Sequence, residues 1–417
     1  MTDGRPTRVT MLLRNPYTHD TRVEKEARSL RDAGYAVTIV ADGDEALPAR
    51  ETKDGVAVWR IPRLGRRIPV LRYLRHRRNL MRAVEATQPD IIHAHDSETL
   101  EPVGRLARRL GVPFVYDAHD LWLGRIFRDR SRLNLALFKA YYRWVERTFL
   151  PRAAGWVTVS GPIARHLERE YGIGPVGVVA NVPERPTGPP EVRDLKTLPG
   201  AERLPPGVPI VLYLGRVISG RGVDELVAAL PMVDAGAHLV FLGGGAHAPV
   251  IAAQARRLGV ADRLHVLPLV PPDDVIPYAA SATIGVSAAV PTCLNYIYSL
   301  PNKLFQPMAA GLPVVASNFP QVVEVVDDHD AGITVDMTDP AAIAAALNEL
   351  LADPERARRM GANARRAIQD RFNWDVAGGT LVETYQRIRP PDRGRGGEAA
   401  SAGDARARPA PRGSQPG

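Results

Sequence analysis

Two rhythms of apolar and polar positions run along the chain. Short apolar runs recur at RVTMLL (8–13), YAVTIVA (35–41), VAVWRIP (56–62), DIIHAH (90–95), PFVYDAH (113–119) and GWVTVS (155–160). Runs of this length, apolar on both faces, predict strands of a parallel sheet. Helical stretches lie between most of them. TRVEKEARSLRDAG (21–34) is amphipathic and closes on Gly34, the residue type that stops a helix most easily. At 183–209 the composition changes to PERPTGPPEVRDLKTLPGAERLPPGVP. Proline at that density fits neither helix nor strand interior, so 184–208 is expected to be a linker. The rhythm restarts at PIVLYLGR (209–216) and continues through AHLVFLGGG (237–245), RLHVLPL (263–269), ATIGVSA (282–288), LPVVAS (312–317) and AGITVD (331–336). PERARRMGANARRAIQDRF (354–372) predicts one more helix, and NWDVAGGTLVETYQRI (373–388) another that crosses back to the first domain.

The expected fold class is therefore α/β, with two doubly wound, Rossmann-like domains at 1–183 and 209–372 facing across a cleft. A helix at 373–390 joins them, and a Gly/Pro/Arg/Ala-rich tail at 391–417 is expected to be disordered. Ligands of such sheets sit beyond the C-terminal ends of the strands, so the informative residues are those just after strands. The length of 417 residues suits two domains. Cys293 is the single cysteine. That excludes a disulfide framework and favours a reducing, cytoplasmic setting. No run approaches the 18 apolar residues of a spanning helix.

The net charge of +8 is unevenly placed. RIPRLGRRIPVLRYLRHRRNLMR (60–82) has no acid, and GRIFRDRSRLNLALFKAYYRWVER (124–147) mixes bases with Leu, Phe, Tyr and Trp. Three readings compete. A solvated basic face is the plainest. An anionic lipid surface comes next, because bases beside large apolar residues favour an interface. Nucleic acid ranks last, since no helix-turn-helix, zinc or aromatic-platform motif accompanies the charge.

Two stretches carry candidate chemistry. In VLYLGRVISGRGVDEL (211–226) a strand ends at Gly215, Arg216 follows, and Arg221 precedes Gly222 at a helix start. Two guanidiniums beside flexible glycines and a helix N-terminus suit a diphosphate. The competing reading is an arginine pair on a solvated loop. In YIYSLPNKLFQPMAAGLPVVAS (296–317), SLPN enters a helix with Lys303 in its first turn. A cation there opposes the helix dipole unless an anion is bound nearby. The competing reading is an ordinary proline-started helix.

Taken together these stretches resemble a known family. DTRVEKEARSL (20–30), DIIHAHD (90–96), VYDAHDLW (115–122), VVANVP (178–183), YLGRVISGRGVDEL (213–226) and LNYIYSLPNKLFQPMAAGLPVV (294–315) look like a retaining glycosyltransferase of family 4 with the GT-B fold. The resemblance runs from about residue 8 to about residue 388. It implies that Arg216 and Arg221 hold a nucleotide diphosphate, Arg221 standing where the family usually has Lys. It also implies that His119 lies beside the transferred sugar, and that Ser299, Leu300 and Pro301 form the loop that caps the donor phosphates. Gly215, Asn302 and Lys303 are assigned to the same donor site. The family has two glutamates separated by seven residues, one at the sugar and one at the ribose. Here those positions are Tyr298 and Gln306. Gln306 keeps a hydrogen-bond acceptor, weaker than a carboxylate by roughly 1 kcal/mol.

The resemblance implies sugar transfer from a nucleotide-diphosphate sugar to a glycan or lipid-linked hydroxyl, with the departing diphosphate taking the acceptor's proton. No metal and no other cofactor is expected, because two arginines neutralise the diphosphate. A peripheral membrane location follows if the acceptor is lipid-linked. Two other readings stand beside this one. A nucleotide-sugar epimerase of the same fold would need more carboxylates than this cleft is expected to hold. A non-catalytic nucleotide-sugar-binding subunit would explain Tyr298 and Gln306.

On the first domain, Asn15, Asp20 and Arg22 follow the first strand and are assigned to the acceptor side, together with Asp96. Asp20 or Thr21 equally suits a helix cap, with Glu24 as the capping-box acid. Several motifs carry little. GGGAHA (243–248) fits a loose dinucleotide fingerprint, but Asp262 precedes the next strand instead of ending it. DGD (42–44) reads as a turn. HAHD (93–96) lacks an evident third metal ligand, so His95 and Asp96 are read as cleft-lining. Cys293 is expected to be buried.

Overall fold

The computed structural model describes residues 5–18, 20–62, 69–127, 131–234 and 236–388, without the side chains of 69–72. The 391–417 tail and part of the 60–82 segment lie outside the described residues. The first sheet has strands β1 (Arg8–Leu12), β2 (Ala36–Asp42), β3 (Arg50–Lys53), β4 (Val56–Ile61), β5 (Ile91–His95), β6 (Phe114–Ala118), β7 (Gly155–Thr158) and β8 (Gly177–Val178). Their order is β3-β4-β2-β1-β5-β6-β7-β8, parallel except for the β3–β4 hairpin. The second sheet has β9 (Ile210–Leu214), β10 (His238–Leu242), β11 (Leu264–Leu267), β12 (Ile284–Ser287), β13 (Val314–Ser317) and β14 (Gly332–Val335), in the order β11-β10-β9-β12-β13-β14 and all parallel. Both sheets reverse direction beside their first strand, between β1 and β5 and between β9 and β12. Those switch points are where an open α/β sheet leaves room for a ligand.

Full burial of β1, β5, β6, β9 and β10 explains their continuous apolar runs, since helices cover both faces. Polar residues inside these strands are therefore exceptions that need partners. They are Thr10 in β1, His93 and His95 in β5, Asp117 in β6 and His238 in β10.

The 184–208 stretch differs from the expected linker. Leu195, Ala201 and Leu204 are buried against Ile210, Leu212 and Leu267. The Arg193 N–H donates to the Pro277 carbonyl at 3.0 Å, and the Leu195 N–H to Ser281 Oγ at 3.2 Å. Proline excluded regular structure there, but the leucines between the prolines still gain by docking on the second domain.

The Trp374–Gln386 helix packs on the Thr21–Asp32 helix and on β7 and β8 of the first domain. Its approach needs small strand residues. A Cβ on Gly155 would lie 2.9 Å from Thr384 Cγ2, and one on Gly177 3.1 Å from Thr384 Oγ1. The Trp374 backbone N–H donates to the Pro183 carbonyl at 2.9 Å, and its indole N–H to Ser29 Oγ at 2.9 Å. Trp374→Ala is expected to cost about 3 kcal/mol, the usual loss for truncating a buried Trp. Denaturant unfolding checks this, and a loss below about 1 kcal/mol would show that the strap adds little to stability.

Candidate active site in the interdomain cleft

A cavity of about 280 Å³ lies between the C-terminal ends of the two sheets. Asp20, Arg22, His119 and Asp120 line its first-domain wall, and Tyr213, Arg221 and Ser299 to Lys303 its second-domain wall. The second-domain lining contains no acid. The two walls therefore differ in charge.

The second wall is built around Lys303. It stands in the first turn of the Asn302–Ala309 helix, where backbone N–H groups lack intrahelical partners. Its Nζ donates to the Tyr213 hydroxyl and lies 4.0 Å from the ring centroid. Gly215 makes this approach feasible, for a Cβ there would sit 3.0 Å from Lys303 Cε. Burial, helped by the nearby Arg221 guanidinium, lowers the Lys303 ammonium to about 7. Arg221 reaches over Tyr296, 5.9 Å from its ring centroid. Gly222, next in the chain, cannot carry a side chain, since a Cβ would fall 1.9 Å from the Ala288 carbonyl oxygen. Two cations, one of them short of its proton, form a site that an anion would complete.

The first wall rests on a buried charged cluster. Arg22 donates through Nη2 to both oxygens of Asp117, at 2.9 and 3.0 Å. Its Nε lies 2.8 Å from Glu26 and its Nη1 donates to the Val179 carbonyl. Asp117 Oδ2 is 3.0 Å from His119 Nε2, and Asp96 Oδ1 accepts the His119 backbone N–H at 3.1 Å. Burial opposes charge on His119, but Asp117 and Asp96 overcome it and raise the imidazole to about 10. Burial likewise opposes charge on Asp117, yet Arg22 and His119 hold it well below the usual carboxylate range. Glu26 is pushed well above that range by burial and by Asp117. Burial keeps His95 and His93 neutral by lowering both. The chemistry on this wall is thus a cationic imidazole that donates hydrogen bonds and cannot act as a base.

Glu26, His95, Asp117 and His119 bring ligand atoms within 4.8 Å of one another, supplying the partners that the HAHD stretch lacked in sequence. The donor set suits the guanidinium already in its midst better than a metal dication. Arg22 occupies both carboxylates, and one of them favours its neutral form.

The expected site residues separate on this geometry. His119, Arg221, Ser299, Leu300, Pro301, Asn302, Lys303, Asp20 and Arg22 line the cavity. Asp96 lies beneath His119, and Asn15 donates to Asp20 Oδ2 at 2.9 Å, so both act through a neighbour. Arg216 is exposed and does not line the cavity, although Val217 beside it is buried. Tyr298 packs beside the first-domain core, and its carbonyl accepts from Ser160 Oγ at 2.6 Å. Gln306 faces a separate cavity of about 510 Å³, with Lys25 and Arg28, one helical turn beyond Asn302. Cys293 is half-buried. The glycines of GGGAHA serve packing, since a Cβ on Gly245 would lie 2.3 Å from the Val217 carbonyl oxygen. The cavity also holds one carboxylate, Asp120, that was not expected beside the assigned Asp20. Asp20 both caps its helix and lines the cavity, while Asp120 follows His119.

Asn295 and Asp117 were not legible as site residues. Asn295 crosses the cleft, accepting the Leu121 N–H at 2.7 Å and donating to Asp120 Oδ1 at 2.9 Å. Asp117 had a visible signal in hindsight, an acid inside an otherwise apolar strand, with Arg22 and Glu26 four residues apart on one helix.

Two largely parallel sheets with matching switch points, closing over a cavity with one acid-free wall that carries Arg221 and Lys303, have the two-domain GT-B architecture. The chain belongs to the family of group 1 glycosyl transferases: residues 19–183 match the "Glycosyl transferase 4-like domain" and residues 196–367 match "Glycosyl transferases group 1". It is 30% identical over 337 residues to an alpha-maltose-1-phosphate synthase of Mycolicibacterium smegmatis, covering 74% of this chain and 81% of that one. It is 36% identical over 186 residues to a D-inositol 3-phosphate glycosyltransferase of Xylanimonas cellulosilytica, covering 44% of this chain and 43% of the relative. That second match thus spans less than half of the relative's length. A solved sucrose-phosphate synthase of Thermosynechococcus elongatus shares the fold with a TM-score of 0.73 at 20% identity, covering 91% of this chain and 98% of the other.

The raised imidazole has a consequence for stability. Its contribution is complete below the ordinary value of 6.5 and is lost as pH rises through about 10. His119→Gln is expected to flatten the fall of unfolding free energy across that window. Denaturant titrations at a series of pH values check it, and an unchanged slope would show that His119 is neutral.

Proposed function

We propose that the protein is a retaining glycosyltransferase that moves a sugar from a nucleotide-diphosphate sugar to a hydroxyl acceptor in glycan, glycolipid or glycoconjugate synthesis. The segregation of charge across the cleft carries this reading. Arg221 and Lys303 stand on the acid-free wall, which suits a diphosphate, and His119, Asp20 and Asp120 stand on the opposite wall, which suits hydroxyls. The diphosphate lies between Lys303, Arg221 and the first turn of the Asn302–Ala309 helix. Positive charge there stabilises the leaving group as it departs. His119 donates a hydrogen bond to a sugar or phosphate oxygen.

Retention without a protein nucleophile fits the state of the two carboxylates. Asp20 accepts from the Val23 N–H through Oδ1 and from Asn15 through Oδ2. Asp120 accepts from Asn295 and pairs with Arg125 at 3.2 Å. With both engaged, the departing diphosphate oxygen is the base that takes the acceptor's proton on the same face of the sugar. The donor is neutralised by side chains, and the reading includes no metal or other cofactor. The acceptor is glycan or lipid-linked, and the setting is the cytoplasmic side of a membrane; no described helix is long and apolar enough to cross one.

Calorimetry with UDP, GDP, ADP, dTDP and CMP tests the donor site. One diphosphate should bind, and Arg221→Ala or Lys303→Ala should each weaken it by roughly tenfold or more, the value of a charge-assisted hydrogen bond. Binding by no diphosphate would overturn the assignment. Product formed from donor alone, with an inverted sugar centre, would favour the epimerase. At pH 8 the same binding should also take up close to one proton, because the lowered Lys303 regains its charge beside the anion. Titration in buffers of different ionisation enthalpy checks this, and heats independent of buffer would place Lys303 away from the phosphates.

A further inference from the structure

Seven of the fifteen exposed large apolar side chains among the described residues fall between Tyr73 and Trp144, on the first domain. The Arg132–Phe149 helix presents four of them: Leu133 is 70% exposed, Leu137 62%, Tyr141 44% and Trp144 46%. Spacings of four, four and three place them on one stripe. The opposite stripe, including Tyr142, Val145 and Phe149, is buried against the first domain. The helix therefore has two apolar faces, and the fold covers only one. Tyr73 and Leu74 of the Pro69–Ala86 helix are exposed on the same domain.

The two helices' own charge is mostly basic, although Glu101 and Glu170 of neighbouring elements pair with Arg77 and Arg147. Arg132–Phe149 carries Arg132, Lys139, Arg143 and Arg147 against one acid, Glu146, which is buried. Pro69–Ala86 carries five arginines against Glu85. Arg75, Arg78, Arg132 and Lys139 take part in no ion pair among the described residues.

We propose that this face docks the first domain on an anionic lipid bilayer and brings the acceptor side of the cleft to a lipid-linked substrate. The inference deepens the functional reading above and rests on its acceptor side. Exposed leucines gain by burial among acyl chains and gain nothing from phosphate recognition, which separates a bilayer from RNA. Basic side chains flanking the stripe sit at headgroup level, where anionic lipid attracts them. Two copies joined through this face would oppose like charges, so self-association is disfavoured.

A continuous ladder of rings links the face to the cleft. Trp144 lies 6.1 Å from Tyr141, Tyr141 5.1 Å from Tyr142, and Tyr142 5.2 Å from Trp122. Trp122 stands two residues after Asp120, and Arg125 both covers its ring at 4.9 Å and pairs with Asp120. Docking at the stripe thus places the cavity's first-domain wall beside the bilayer surface.

The test is co-sedimentation of the full chain with phosphatidylcholine vesicles and with vesicles that also contain phosphatidylglycerol. Binding is expected only to the second, and raised salt should weaken it. Leu137→Glu with Trp144→Glu should lower it by about tenfold or more, and Lys139→Glu with Arg143→Glu should remove the preference for anionic lipid. Both variants should keep nucleoside-diphosphate binding, which shows that they are folded. No binding by the wild type, or unchanged binding in both variants, would overturn the proposal. So would a dimer that Leu137→Glu dissociates, or RNA binding with no vesicle binding. Vesicle binding that persists in a protein unable to bind any diphosphate would sink the donor reading and leave the docking face standing.

Discussion

The buried pair of Arg22 and Asp117 is the constraint around which the first domain's half of the site is arranged. Both side chains are almost fully removed from water. Such a pair is costly to bury and tolerable only when every remaining donor finds an acceptor. Arg22 meets most of that demand through both oxygens of Asp117 in β6 and the carbonyl of Val179 after β8, while its Nε lies against Glu26 on its own helix without a hydrogen bond. One guanidinium thereby ties together three parts of the first domain directly below the cleft. The same demand makes Glu26 favour its neutral form and leaves Asp117 charged toward His119.

His119 inherits its charge from this arrangement. It stands at the end of β6, partly open to the cavity, between two acids that hold its proton. The opposite wall inverts the logic. Lys303 is drawn below its ordinary value by burial and by Arg221, with no acid on its wall to restore it. One wall thus holds a satisfied cation and the other an unsatisfied pair. That difference gives the cleft a direction, with the anionic end of a ligand toward the second domain.

Rigid approach of backbones sets where these groups stand. Gly215 lets Lys303 pass close to β9, and Gly222 lets the Arg221 turn close against Ala288. Gly155 and Gly177 admit the returning Trp374–Gln386 helix, whose Tyr385 hydroxyl lies 2.7 Å from His93 Nδ1. His93 stacks on His95 at 4.2 Å, and His95 Nδ1 lies 3.0 Å from His119 Nε2. The strap between the domains and the imidazole at the cleft are therefore joined by a line of buried rings.

Periodicity made much of this legible from the chain alone. Apolar runs mark the parallel strands because burial on both faces leaves them no polar option, and residues after strand ends mark the cleft because open sheets bind there. Arg221 was read from a strand end, Lys303 from the first turn of a helix, and His119 from the family resemblance; all three line the cavity. Tyr298 and Gln306 were placed by a family pattern in linear spacing and Arg216 by its position after a strand, and neither says which way a side chain turns. Tyr298 packs half-buried beside the first-domain core, Gln306 faces a neighbouring cavity, and Arg216 is exposed. The proline-rich stretch misled for a related reason, since composition excludes helix and strand but does not report docking. Asn295 and Asp117 become site residues only when partners 95 to 175 positions away arrive beside them. The sequence by itself determined the element types, the two sheets and the residues at strand ends, because those follow from local burial patterns. Only the tertiary structure decided charge states, wall assignments and the uncovered helix face, because each depends on what distant segments bring within a few ångströms.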